Sequence, residues 1–354
     1  MPRFDPSALR TLGAALFEAV GTPATDAELV AGHMVESGLM GHDSHSVLRY
    51  PQYVEAARSG RIQCGAAMEV LSDRALTAQV SGHWNFGAVT ATKAVQLAID
   101  KVRAGGAISA VTARDCWHVG RLGGFAAMAA EQNLIAILMC NGQGGDLSVV
   151  PFGGRERRLP TNPLAVALPT GRDWPIVLDM ATSMTSGGAM RVYRNLGQPV
   201  PQGLVVDGHG HSTTDVEQYY GPPMGGLLPL GFPGAGHKGF GLSLLVDMLS
   251  GALSRGGCSQ ADPPEPGNAL FITLLDIEAF TPISAFHEEV QLFVDWVKSA
   301  PPGEGFDEVM FPGEKAHRAY QKRSREGLFV DALAWAQISE VAGELGVPLP
   351  TPNN

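Results

Sequence analysis

Short apolar runs alternate with helix-length segments through the middle of the chain, and this alternation limits the fold more than any other feature. Residues 68–72 and 76–80 read as short strands, 87–103 as a helix, 107–112 as a buried strand and 123–132 as a helix. Further strands are expected at 134–139, 164–168, 176–180 and 269–275, with an apolar helix at 240–253. Strand and helix signals in this order predict an α/β fold with a mixed or parallel sheet covered by helices. Residues 198–236 are rich in Gly, Pro and polar side chains and read as loops. The chain ends read differently. Asp5 can cap a helix over 5–20, with Pro6 in its first turn. A second helix over 22–39 offers Thr25 and Glu28 as a capping box, and a third runs from about Asp43 to Gly60. Residues 285–299, 314–326 and 331–345 read as closing helices.

At 354 residues the chain can bury a large core. A net charge of −10 argues against nucleic acid as a partner, because phosphate backbones need a basic surface. The four cysteines form no C-x-x-C pair, so no zinc or redox motif is expected. The first residues lack the features of a signal peptide, and no apolar run is long enough to span a membrane. A reducing cytoplasm with free thiols is the expectation.

Three stretches carry chemistry. In the run from Gly41 to Tyr53, His45, Arg49 and Tyr53 are four residues apart and would share one face of a helix capped by Asp43 or Ser44. A histidine passes protons near neutrality, and an arginine grips a carboxylate with two parallel bonds. Together they suit a small acid whose neighbouring oxygen gains or loses a proton. A surface helix is the bland alternative, and Pro51 would kink the helix. The second stretch is Cys116 to Gly124, where His118 follows a strand and opens a helix, the place where α/β enzymes bind ligands. A turn histidine bonded to backbone fits that position equally. The third, Gly234 to Gly239, formally matches G-x-G-x-x-G with His237 and Lys238 inside it. Pro229 spoils the preceding strand, so an anion contact is expected here and a standard Rossmann unit is not. Asp179, at a strand end, could orient a histidine, bond a ribose or cap a helix. Thr161-Asn162 reads as a polar turn. His42 and His45 have no third ligand at a diagnostic spacing, and no metal site is expected.

The chain resembles the non-Rossmann malate/L-lactate dehydrogenase family of NAD(P)-dependent oxidoreductases. That family includes sulfolactate, ureidoglycolate and diketogulonate enzymes and reductases of cyclic imino acids. The resemblance rests on Asp43-Ser44-His45 with Arg49 and Tyr53, on His118-Val119-Gly120, and on Pro151-Phe152-Gly153-Gly154 with Thr161-Asn162-Pro163-Leu164. It continues through Leu178-Asp179-Met180-Ala181-Thr182-Ser183, Leu228-Pro229-Leu230-Gly231, His237-Lys238-Gly239 and Phe311-Pro312-Gly313-Glu314. It implies a helical domain made of residues 1–62 and 280–354 around a mixed-sheet, cofactor-binding domain of residues 63–279. It implies NAD or NADP as cofactor and a homodimer. His45 matches the usual proton donor, His118 takes that role in some members, and Asp179 stands with them. Ser44, Arg49, Tyr53, Thr161 and Asn162 match substrate contacts. Cofactor contacts would be His118, Gly120, Asp179, Met180, Ala181, Thr182, Ser183, Met184, His237, Lys238, Gly239, Pro312, Gly313 and Glu314. Ser46 stands where the family has Gly, Ala189 where a lysine is common, and Pro160 precedes Thr161 where Gly is usual. The expected reaction moves a hydride to or from C2 of a small 2-hydroxy or 2-oxo acid. A cyclic imino acid reductase, a non-catalytic acid-binding relative and a metal-dependent hydrolase using His42, His45 and His118 are the alternatives.

Overall fold

The structure, a computed structural model, describes residues 3–145, 147–262 and 267–353. A short strand β1 (Arg3–Phe4) leads into α1 (Pro6–Ala19), where Asp5 accepts the N–H groups of Ser7 at 2.8 Å and Ala8 at 3.1 Å. In α2 (Ala24–Leu39) the expected capping box does not form. Pro23 occupies the cap position, which puts Thr25 inside the first turn, and no side chain caps this helix. The third helix is also not the one expected. Two 3₁₀ turns, Asp43–His45 and Val47–Arg49, precede α3 (Tyr50–Arg58). Ser46 breaks the run with extended backbone, at φ −98° and ψ −162°. Pro51 therefore sits in the first turn of α3, where its missing N–H leaves no bond unmade.

The strands follow closely where the apolar runs placed them. They are β2 (Glu69–Asp73), β3 (Thr77–Ser81), β4 (Ile108–Cys116), β5 (Leu134–Asn141), β6 (Leu164–Leu168) and β7 (Ile176–Met180), with α4 (Gly87–Arg103) and α5 (Leu122–Ala130) between them. A helix not foreseen, α6 (Gly187–Leu196), is capped by Ser186, which accepts the Ala189 N–H. The stretch read as loops holds β8 (Val205–Val206), β9 (Ser212–Thr213), α7 (Val216–Tyr220) and β10 (Gly226–Leu227). These strands form a small sheet, β10-β8-β9, over its own apolar cluster of Val149, Leu159, Met190, Val205 and Leu227. Helix α8 (Gly236–Asp247) starts earlier than expected and runs into a π turn, Met248–Ala252. The chain closes with β11 (Asn268–Asp276), α9 (Ile283–Lys298), α10 (Glu314–Glu326), β12 (Leu328–Phe329) and α11 (Ala332–Leu345).

The central sheet is mixed, seven strands in the order β2-β3-β4-β11-β5-β6-β7. Only β3 and β4 are parallel, and β11 lies antiparallel between β4 and β5. A Rossmann unit needs consecutive parallel strands, so this sheet is not one. Leu270, Ile272 and Leu274 alternate into one core with Val111, Ala113, Ala136 and Leu138, and α4 and α5 cover that face. Phe4, Leu16 and Phe17 from the start of the chain and Ile338 and Ala342 from its end join the same core. The two ends meet directly, through β1 on β12 and the Phe4–Trp335 stack at 4.1 Å. Helix α10 packs on α2, and α11 on α1 and α3.

Candidate active site

The site forms where the turns before α3, the segment after β4 and the end of β7 come together. The rings of His45 and His118 stack with centroids 5.5 Å apart and planes 16° apart. Ser44 Oγ lies 3.0 Å from His45 Nδ1, and the Tyr53 hydroxyl lies 2.6 Å from His118 Nδ1. That hydroxyl also donates to the His118 carbonyl at 3.1 Å. Both imidazoles thus have Nδ1 held, and neither Nε2 has a partner among the described residues. The spacing expected to align His45, Arg49 and Tyr53 on one helix face does not do so. They come from two 3₁₀ turns separated by the extended Ser46 and from α3, which follows them.

Both rings keep an accessible edge, but protein atoms crowd them. Burial pushes His45 down to about 3, assisted by the Arg49 charge. Burial and then Arg49 hold His118 well below the usual histidine range. Burial raises the Tyr53 phenol to about 12. At neutrality the site is two neutral imidazoles and a neutral phenol beside a fixed cation. Arg49 itself donates Nε to the Ser44 carbonyl at 2.5 Å and a terminal nitrogen to Gln52 at 2.9 Å. Helix α6 closes the same turn, since a Cβ on Gly188 would lie 2.9 Å from that of Ser44.

The remaining expected residues divide. Asp179 accepts the Gly123 N–H at 2.8 Å and so holds the first turn of α5. No hydrogen bond joins it to His45 or His118, and its charge acts on His42 instead. Thr161 gives its carbonyl to the Thr182 N–H at 2.9 Å and to its hydroxyl at 3.0 Å. Asn162 is fully buried, and its amide nitrogen is committed to Ser243 and Asp247 at 3.0–3.1 Å. It ties the turn to α8 from beneath. Met184 and Ser183 are fixed by the Leu228 and Thr185 carbonyls, at 2.8 and 2.6 Å. Lys238 is exposed in the first turn of α8, with no ion pair among the described residues. His237 meets the Phe152 ring edge-on at 5.8 Å. A Cβ on Gly239 would collide with the Leu230 carbonyl, so only glycine lets these backbones approach. Pro312 accepts the Val177 N–H at 3.4 Å, and Gly313 has φ +91° against Val177. The Glu314 carboxylate is buried and gripped by Lys298 at 2.5 and 2.6 Å and by Arg318 at 2.5 Å.

A cleft of about 1200 Å³ opens beside the histidine pair, between α2, α5, α10 and the end of β7. Asp179 and Gly313 line it, as do three residues the motifs did not single out: His33, Arg121 and Trp174. His45 and His118 stand outside its lining, and His42 is the neighbour of His45 that borders it. Its size suits a dinucleotide rather than a small acid. The residues present fit such a ligand. Arg121 places a cation on the cleft wall and Gly313 permits close backbone approach, whereas Lys238 and Gly239 stand outside the lining. Among the described residues no group of three or more His, Cys, Asp or Glu could hold a metal ion, so the hydrolase alternative finds no ligand set there.

Paired imidazoles beside an arginine, next to a dinucleotide-sized cleft on a non-Rossmann mixed sheet, are an arrangement that suits an oxidoreductase. The model of the malate/L-lactate dehydrogenase family matches residues 4–339. A malate dehydrogenase of Pyrococcus horikoshii is 37% identical over 335 residues, covering 93% of this chain and 91% of that protein. An L-sulfolactate dehydrogenase of Methanocaldococcus jannaschii is 32% identical, covering 92% of each. The solved structure of a putative malate/lactate dehydrogenase from E. coli superimposes with a TM-score of 0.90 at 31% identity, covering 98% of this chain and 96% of that one. The chain belongs to the malate/L-lactate dehydrogenase family. It is an oxidoreductase acting on CH–OH groups with a nicotinamide coenzyme.

Proposed function

We propose that the protein moves a hydride between NAD or NADP and C2 of a small 2-hydroxy or 2-oxo acid, with His45 as the proton acceptor and donor. The observation that carries this reading is the stacked His45–His118 pair beside Arg49. Relatives named for malate and sulfolactate support a small anionic 2-hydroxy acid as substrate. The nicotinamide, when bound, supplies the hydride chemistry. In oxidation, Arg49 holds the substrate carboxylate and presents the C2 hydroxyl to His45 Nε2. The proton goes to that nitrogen as C2 gives up its hydride. Ser44 keeps the His45 ring oriented, and Tyr53 does so for His118. A neutral His45 is ready as a base, which favours the hydroxy acid as the incoming substrate. The 2-oxo acid needs His45 protonated, and a carboxylate on Arg49 raises its pKa by offsetting that charge.

The coenzyme would lie along Asp179, Met180, Ala181, Thr182, Ser183 and Met184, between the Gly313 end of the cleft and Lys238. Glu314 would shape its loop through its ion pairs rather than touch the ligand. In this reading residues 1–62 and 280–354 supply the helical domain with the substrate groups, and residues 63–279 the cofactor-binding domain. A homodimer is supported by the apolar side chains of α9, where Phe293 and Trp296 are 64% and 76% exposed. No helix among the described residues is long and apolar enough to cross a membrane. The four cysteines are free thiols, which fits a reducing cytoplasm.

The test is coenzyme reduction with a panel of 2-hydroxy acids and both coenzymes, and coenzyme oxidation with 2-oxo and cyclic imino acids. Turnover of a hydroxy acid is expected. Turnover of cyclic imino acids alone, or coenzyme binding without turnover of any acid, would replace this reading with one of the alternatives.

A further inference from the structure

Arg121 is 5% exposed and has no part in the reaction above. It stands directly after His118-Val119-Gly120 and immediately before α5, on the wall of the large cleft. A guanidinium carries five N–H donors. One reaches Glu36 Oε1 at 2.7 Å, while Nε is enclosed and meets no acceptor. Glu36 is itself 45% exposed, so water weakens its hold on the charge.

The surroundings add little compensation. A Cβ on Gly124 would sit 3.1 Å from Arg121 Nη2 and 3.3 Å from His33 Cε1, so the guanidinium and the His33 ring share one small space. Burial first, and Arg121 second, push His33 down to about 3, so that ring is neutral. Its Nε2 is also enclosed and unpartnered. Asp179, another carboxylate on the cleft wall, already serves the first turn of α5. A nearly buried cation whose Nε meets no acceptor therefore stands on the wall of a cleft sized for a dinucleotide.

We infer that Arg121, steadied by Glu36 and backed by His33, binds an anionic oxygen group that a ligand brings into the cleft. This rests on the reading that the cleft takes the coenzyme and borders the acid. Two ligands carry such a group: the coenzyme through a phosphate, or a substrate through a second anionic group besides the carboxylate on Arg49. The shared chemistry is an oxyanion met by a guanidinium fork.

Two measurements on the full chain separate the sources. Calorimetry gives the dissociation constants of NADH and NADPH for the wild type, Arg121→Gln and Arg121→Lys. Steady-state rates give KM for malate, a dianion, and for lactate, a monoanion. Loss of a charge-assisted contact is expected to weaken the affected ligand about tenfold or more in Arg121→Gln. A raised coenzyme dissociation constant assigns the group to a phosphate. A raised KM for malate with lactate unchanged assigns it to the second anion of the substrate. Arg121→Lys should recover part of the loss, because it keeps the charge and loses the fork. Should Arg121→Gln fail to fold, the lysine variant and Glu36→Gln should each show a smaller loss on the same ligand. A folded variant with both dissociation constants and both KM values unchanged would overturn the inference. A wild type that binds coenzyme but turns over no acid refutes the proposed function instead, and leaves the calorimetric test standing.

Discussion

His45 and His118 are neutral at pH 7 because protein atoms crowd their rings and Arg49 stands beside both. A neutral imidazole is a base, so acid should inhibit hydroxy-acid oxidation only well below the ordinary histidine pKa of about 6.5. Arg49→Ala should raise KM for the acid before it lowers kcat, because the carboxylate is held in ground and transition states alike. Arg49→Lys should restore only part of the affinity. Steady-state kinetics on the three proteins checks this. At this scale the grouping of His45, Arg49 and Tyr53 was legible from their residue types, although 3₁₀ turns and α3 rather than one helix bring them together. Arg121 and His33 were not legible. A single buried cation or ring leaves no periodic signature, and its meaning lies in what it lacks a partner for. The tie from the Asn162 amide nitrogen to α8 was not legible either, since a polar turn residue does not reveal where its amide is spent.

Among the elements, the strands and α4 were legible because apolar runs and glycine breaks mark them. The segment before α3 was not, because regular spacing of side chains cannot show that Ser46 adopts extended backbone. In that conformation Ser46 packs into the space left by Gly38 of α2. This gives a paired prediction. Gly38→Ala should destabilise the fold by about 1–3 kcal/mol, the range for overpacking a tight contact. Ser46→Gly added to it should recover most of that, since the Oγ is what a Cβ at Gly38 would strike. Denaturant melts of both variants decide it. Equal loss in single and double variants would place the strain elsewhere. Helix α6 escaped notice because Gly187 and Gly188 look like a loop, although Ser186 is an ordinary cap. At α8, Lys238→Ala should raise the coenzyme dissociation constant about tenfold or more, as loss of one charge-assisted bond requires. Calorimetry showing unchanged affinity would remove Lys238 from the site.

For the whole molecule, the buried histidines set an acid limit. His33 and His45 ionise near 6.5 when unfolded but only at about 3 when folded. Between these values the unfolded chain binds more protons, so stability rises with pH across that window. It should be fully present above about 6.5 and fall as pH drops toward 3. Each such histidine adds up to roughly 1.4 kcal/mol per pH unit to the slope. Thermal melts at pH 7 and pH 5 should show the loss, and His33→Gln should reduce it. The meeting of the chain ends at β1 and β12 was not legible from two-residue strands, yet it joins the opening helices to the closing ones. The exposed α9 face predicts a dimer by light scattering. A monomer at working concentration would contradict that reading.

The central claim is that His45 is the proton acceptor and His118 its neighbour. The direct test is kcat for hydroxy-acid oxidation, against pH, in the wild type, His45→Ala and His118→Ala, with coenzyme affinity measured alongside. The account predicts that His45→Ala lowers kcat by roughly 10²–10⁴, the range for one general acid–base group, and removes its acidic limb. Coenzyme affinity should hold, and His118→Ala should lose less. Near wild-type kcat in His45→Ala, with the larger loss in His118→Ala, would contradict it.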